Sequence, residues 1–143
     1  MRWRKYGENA ERAAYDCWMK RVTFVLMLAL APTAAHAEKV FKKATNETWD
    51  CATDPVVRIA QDKGTFGFLG ECKRITVSGK KNVVSIASAT KLTVAGTGNF
   101  VLIEDVGTIA VSGRGNQITW TKAKTGDTPK ITKGKGNTVE QKK

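Results

Sequence analysis

Two thiols and three carboxylates are the side chains whose type and spacing could do covalent or acid–base chemistry in this chain. Cys51 and Cys72 stand 21 residues apart, and Glu71, Glu104 and Asp105 are the carboxylates placed to work as a pair. Flanking carboxylates are what glycoside hydrolysis needs: one as acid, the other as base or nucleophile. Other chemistry is poorly provided for. The single histidine is His36, the tyrosines are Tyr6 and Tyr15, and no methionine follows Met27. Beyond residue 37 the chain therefore lacks the commonest general acids and bases. Two cysteines without a histidine or a carboxylate cluster cannot supply the usual ligands of a metal, so no metal and no cofactor is expected.

What positions these residues is a tetrapeptide that returns at a fixed beat. It reads Gly79-Lys-Lys-Asn82, Gly96-Thr-Gly-Asn99, Gly113-Arg-Gly-Asn116 and Gly134-Lys-Gly-Asn137, with steps of 17, 17 and 21 residues. Aligned on the asparagines, five columns stay apolar. Ile75, Leu92 and Ile109 form one column before the turn, and Val77, Val94 and Val111 the other. After it come Val84, Val101 and Ile118, then Ile86, Ile103 and Trp120; a corner column holds Ala89, Val106 and Ala123. Apolar residues alternate within each limb, as in strands with one buried face. A fixed period with apolar residues in register is the signature of a solenoid.

The expected fold is therefore all-β: a short parallel β-solenoid of about four to five coils. An antiparallel β-meander using the same turns as hairpin loops is the alternative. Constant column identities favour the solenoid, because stacking like on like makes equivalent residues neighbours. Gly79, Gly96, Gly113 and Gly134 suit a turn needing φ > 0, and Asn82, Asn99, Asn116 and Asn137 can ladder their amides along the stack. A calcium-binding turn would need a carboxylate, and these four turns contain none. The register extends upstream through Val57, Ile59, Phe66 and Phe68, which puts Cys72 on the corner column. Cys51, one coil and a short insertion earlier, falls on the same corner. There the strand spacing suits a disulfide that pins an N-terminal cap.

The ends set the compartment. Met19-Lys20-Arg21, the apolar run Val22 to Ala31, Pro32 and the small-x-small Ala35-His36-Ala37 have the order of a secretory signal. Residues 1–18 read as an over-extended start or a cytoplasmic extension, 19–37 as the signal peptide cut near Ala37, 38–50 as the cap segment and 51–143 as the repeat domain. The product is expected in the bacterial periplasm or secreted, where an even pair of cysteines reads as a disulfide. From residue 38 onward, 18 Lys and Arg face 10 Asp and Glu, a net charge of +8.

The units Val77-Ser-Gly-Lys-Lys-Asn-Val-Val84, Val94-Ala-Gly-Thr-Gly-Asn-Phe-Val101 and Val111-Ser-Gly-Arg-Gly-Asn-Gln-Ile118, behind a cysteine pair, carry a resemblance. They resemble the uncharacterised bacterial domain-of-unknown-function family numbered 3060, over about residues 51 to 140. The resemblance implies the repeat fold and export; it is silent on activity and carries over no catalytic residue.

The expected function is thus that of a non-catalytic envelope protein, a binding or structural module. Its first alternative is a polyanion-binding module for acidic glycan or lipopolysaccharide, with Lys80, Lys81, Arg114, Lys133 and Lys135 along the turn edge. Lys73, Lys91, Lys122 and Lys124 lie near the opposite corner. Lysines outnumber arginines, the residue preferred for bidentate phosphate contacts, which favours a solvated lysine surface that keeps sheet edges from pairing over polyanion binding; no sequence-specific nucleic-acid binding is expected. A protein partner would instead meet Phe100 and Leu102, two large apolar residues on an outward strand face. The enzyme alternative rests on Glu71 and Asp105, two coils apart in one column, ~9.6 Å by strand spacing and at the far limit for an inverting pair.

Overall fold

A computed structural model describes residues 37–43 and 46–143; residues 19–37, read as a signal peptide, and residues 1–18 before them lie outside the described residues, Ala37 excepted. Nine strands follow one another: β1 (Lys39–Phe41), β2 (Asn46–Asp50), β3 (Val56–Ala60), β4 (Thr65–Lys80), β5 (Val83–Thr97), β6 (Phe100–Arg114), β7 (Gln117–Ala123), β8 (Lys130–Lys133) and β9 (Thr138–Gln141). Every strand pairing is parallel, which disposes of the meander. The chain is an all-β parallel solenoid of about six turns. No helix among the described residues is long and apolar enough to cross a membrane.

Strands β4, β5 and β6 are long because each passes a corner, ending one coil and beginning the next. The alternation of burial breaks there. In β4, Cys72 and Ile75 are both buried while Lys73 and Arg74 between them are exposed. Inside the coil the columns stack as their types dictate. Phe66, Val84, Val101 and Ile118 are register neighbours in turn, as are Ile75, Leu92 and Ile109. All are 1% exposed or less. Burying such a side chain is worth roughly 1.5–3 kcal/mol, so these columns hold the coils together.

The four to five coils expected fall short by the first. Within residues 38–50, read as a cap segment, β1 and β2 make a further coil: β1 pairs with β3 and β2 with β4. Its pattern is masked because the register puts Lys39 opposite Val57 and Glu47 opposite Phe66, on inward columns. Both are tolerated since nothing stacks outside them among the described residues. The Lys39 ammonium lies 4.4 Å from the Trp49 ring centre and 5.6 Å from that of Phe41. Phe41 in turn packs edge-on against Trp49 and closes over Phe66 and Phe68. An aromatic end with a cation over it gives the stack a wettable terminus.

Cys51 and Cys72 form a disulfide with their Cα atoms 5.0 Å apart. Both occupy the same corner of adjacent coils, and the Cys51 N–H also donates to the Leu69 carbonyl at 3.0 Å. The bridge closes a loop with a sequence separation of 21. On the chain-entropy model that stabilises the fold by about 3 kcal/mol. A Cys51→Ala/Cys72→Ala variant should therefore melt roughly 10–20 °C lower than the parent in a calorimetric scan. A midpoint within about 3 °C would mean the first coil is held by its aromatic contacts alone.

Candidate functional site

The turns form one edge of the stack, and a column of buried amides organises them. Asn82, Asn99 and Asn116 are 1% exposed or less, and Asn137 is 7%. Each asparagine amide uses both of its ends. The Asn99 Nδ2 donates to the Gly79 carbonyl at 3.0 Å and to the Asn116 Oδ1 at 2.9 Å. Its Oδ1 accepts from the Asn82 backbone N–H at 3.0 Å and from the Asn82 Nδ2 at 3.2 Å. Asn116 repeats this, donating to the Gly96 carbonyl at 3.0 Å and the Asn137 Oδ1 at 2.9 Å. The ladder runs one coil further than the asparagines do. Asn82 donates to the Gln61 carbonyl at 2.8 Å and accepts from the Gly64 N–H at 2.9 Å. A buried polar column of this kind is favourable only when every member is satisfied, and here each amide is.

On the outside of this edge sit the cations. Lys80 is in register with Thr97, and Thr97 with Arg114. Upstream, the Lys80 N–H donates to the Asp62 carboxylate at 2.7 Å. In the last turn the register is one residue out: the Gly115 N–H bonds the Gly136 carbonyl, the place Arg114 takes when Gly98 donates to it, so Lys135 lies on the turn one residue ahead of the Lys80–Thr97–Arg114 column. Lys133 does not belong with them. It pairs with Val111, on the inward column, rather than in the turn. The insertion between residues 121 and 130 shifts the count there, and an exposed Lys133 ends an aliphatic column that no further coil covers among the described residues.

The third turn position holds a feature that sequence reading passed over. Its backbone is left-handed, with φ near 67° at Gly98 and Gly115 and 77° at Gly136. Lysines stand in the same place in the two preceding turns: Lys63 at φ 58° and Lys81 at φ 55°. A residue with a Cβ costs about 1–2 kcal/mol in that region. The signal was legible in the alignment of Lys81 with three glycines.

The opposite corner carries the carboxylates. Glu71 is in register with Ser88, Ser88 with Asp105, and Asp105 with Lys122. Glu71 is tied to the Lys124 ammonium, which is 53 residues away in sequence. The hydrogen bond from Lys124, and then its charge, hold the Glu71 carboxyl below the usual carboxylate range. Glu104 and Asp105 line a surface hollow of about 370 Å³ with Thr121, Lys122, Lys142 and Lys143. Among the described residues no three His, Cys, Asp or Glu side chains cluster to hold a metal ion.

On the outward face of the after-turn limbs, Phe100 is 43% exposed beside its register neighbour Val83 at 46%. Leu102 is half-buried, between Ser85 and Thr119. Phe100 and Val83 therefore make a small apolar spot, with Leu102 at its margin.

A family model described as a protein of unknown function, DUF3060, matches residues 64–105 and again 89–137. No curated protein and no solved structure matches the chain.

Proposed function

The chain belongs to the DUF3060 family, and from the chemistry of its surface we propose that it is a non-catalytic module of the bacterial envelope that holds an anionic polymer along its turn edge. The observation that carries this reading is the pair of lysines kept in left-handed turns, Lys63 and Lys81, where the later turns have glycine. Backbone strain of this kind persists where the surroundings impose it, and it clusters at sites that use the strained residue. With Lys80, Arg114 and Lys135 beside them, these lysines line one edge of a stack whose coils repeat at about 4.8 Å. An extended acidic glycan or the phosphorylated part of lipopolysaccharide suits such an edge. The charged, apolar and small-residue order of residues 19–37 supports export, and the disulfide fits an oxidising compartment.

The same surface speaks for binding over catalysis. A glycosidase acid needs its carboxyl pKa raised, whereas Lys124 lowers that of Glu71.

Column retention tests the reading. The purified chain should stay on an acidic polysaccharide or on lipopolysaccharide at moderate salt, where it leaves DNA. Lys81→Gly removes one cation and about 1 kcal/mol of strain, partly offset by the entropy of glycine. That variant should elute earlier while melting no lower than the parent. Elution of the parent from all three matrices at the same low salt, or retention unchanged in Lys81→Gly, would reject the turn edge as a binding site.

A further inference from the structure

The corner opposite the turns holds a second cationic group, of a different kind. In the parallel ladder each residue lies beside its equivalent in the next coil, and like charges placed so repel. Among the described residues, one register pair brings two like charges together: Arg74 with Lys91. Lys73 precedes Arg74 on the corner. Both of their backbone N–H groups donate to the Pro55 carbonyl, at 2.8 and 3.1 Å, which fixes the chain from which the two side chains leave. Among the described residues no carboxylate forms an ion pair with Lys73, Arg74 or Lys91; the ion pair present joins Lys124 to Glu71. These three cations, with Thr90 and Val56, line a surface pocket of about 330 Å³.

We propose that this pocket is a binding site for a phosphorylated sugar. Arg74 offers the planar fork that takes two oxygens of a phosphoryl group at once, and Lys73 and Lys91 supply further charge. The Thr90 hydroxyl can donate to a third oxygen. Val56, in register with Arg74 on the preceding coil, gives an apolar patch for the C–H face of a pyranose ring. The volume exceeds what a bare phosphate ion fills and lies at the small end of ligand pockets. Bound phosphate would relieve the Arg74–Lys91 repulsion, which otherwise costs stability with no partner in return. The site lies across the fold from the turn edge, so it goes beyond polymer binding there and stands or falls without it.

Glucosamine 6-phosphate, inorganic phosphate and glucosamine are titrated separately into the purified chain, with amide chemical shifts followed by NMR. Glucosamine 6-phosphate should shift residues 56, 73, 74, 90 and 91 and bind more tightly than inorganic phosphate, with glucosamine weakest. Arg74→Thr/Lys91→Thr should weaken the sugar phosphate by roughly tenfold or more, since charged hydrogen bonds are lost. Thr108 is the natural occupant of this column one coil on, so the variant should fold and melt no lower than the parent. A Lys80→Thr/Arg114→Thr variant should bind the sugar phosphate as the parent does. Equal affinity for inorganic phosphate and glucosamine 6-phosphate, or affinity unchanged in Arg74→Thr/Lys91→Thr, would overturn the site. Retention on polymer lost only in Lys80→Thr/Arg114→Thr would leave the turn-edge function standing in either case.

Discussion

Asn99→Leu should lower the free energy of unfolding by about 3–5 kcal/mol, with the denaturant slope unchanged. Leucine keeps the branched four-atom outline of the asparagine side chain, with bulkier methyl ends, and is more apolar, so transfer alone would favour it at a site 1% exposed. The loss comes from the groups left behind. The Asn82 N–H and one Asn82 Nδ2 hydrogen lose their acceptor, and the Gly79 carbonyl loses its donor. Each buried group left unpaired costs about 1–3 kcal/mol. The Asn116 Oδ1 still receives the backbone N–H of residue 99, so the damage is confined to the turn on the other side. Urea titration by circular dichroism reads the effect. A change below about 0.5 kcal/mol would mean that water satisfies the column and that the ladder is incidental.

Gly113→Ala should be comparably damaging, for a steric reason instead of a polar one. A Cβ at residue 113 would stand 1.9 Å from the Gly96 carbonyl oxygen and 3.1 Å from the Gly96 nitrogen, on a backbone with φ 87°. Neither neighbour can step aside, since both are main chain in the adjacent coil. Strain at such a φ and overpacking each cost about 1–3 kcal/mol, giving a loss of roughly 3–5 kcal/mol. Gly126 is the control. Its φ is 71°, yet nothing lies within 4 Å of where its Cβ would be. Gly126→Ala should cost only the backbone term, about 1–2 kcal/mol. Equal losses at the two positions would show that turn-on-turn contact contributes nothing.

The columns of the stack were legible because a parallel ladder makes the repeat and the contact the same thing. Counting 17 residues from Val84 to Val101 names a register pair directly. Legibility fails where that identity fails. The first coil carries Lys39 and Glu47 in apolar columns, where no described residue stacks beyond them, so its period is silent. Lys133 was assigned to the turn because an insertion resets the beat after Ala123, and only the pairing with Val111 restores it. Glu71 and Lys124 meet across 53 residues at one corner, three coils apart; the repeat places both there, but a contact that skips two coils is not in its pattern. The candidate sites divide in the same way. The turn-edge cations Lys80, Lys81 and Arg114 could be read from the tetrapeptide itself. The crowding of Arg74 against Lys91 is visible only once the corner residues are placed in register.

The asparagine column is the spine that holds both turns and cations in place. Native-state hydrogen exchange of the Asn82, Asn99 and Asn116 backbone amides tests this most directly. Turn amides ordinarily exchange within the lowest-energy local openings, while core amides exchange only on global unfolding. Each of these three donates to the Oδ1 of the next asparagine, at 3.0, 3.0 and 3.1 Å. They should therefore show the protection of Val84 and Val101 in the neighbouring strands. Exchange as fast as that of Gly126 and Asp127, exposed residues outside the strands, would contradict the ladder and the scaffold built on it.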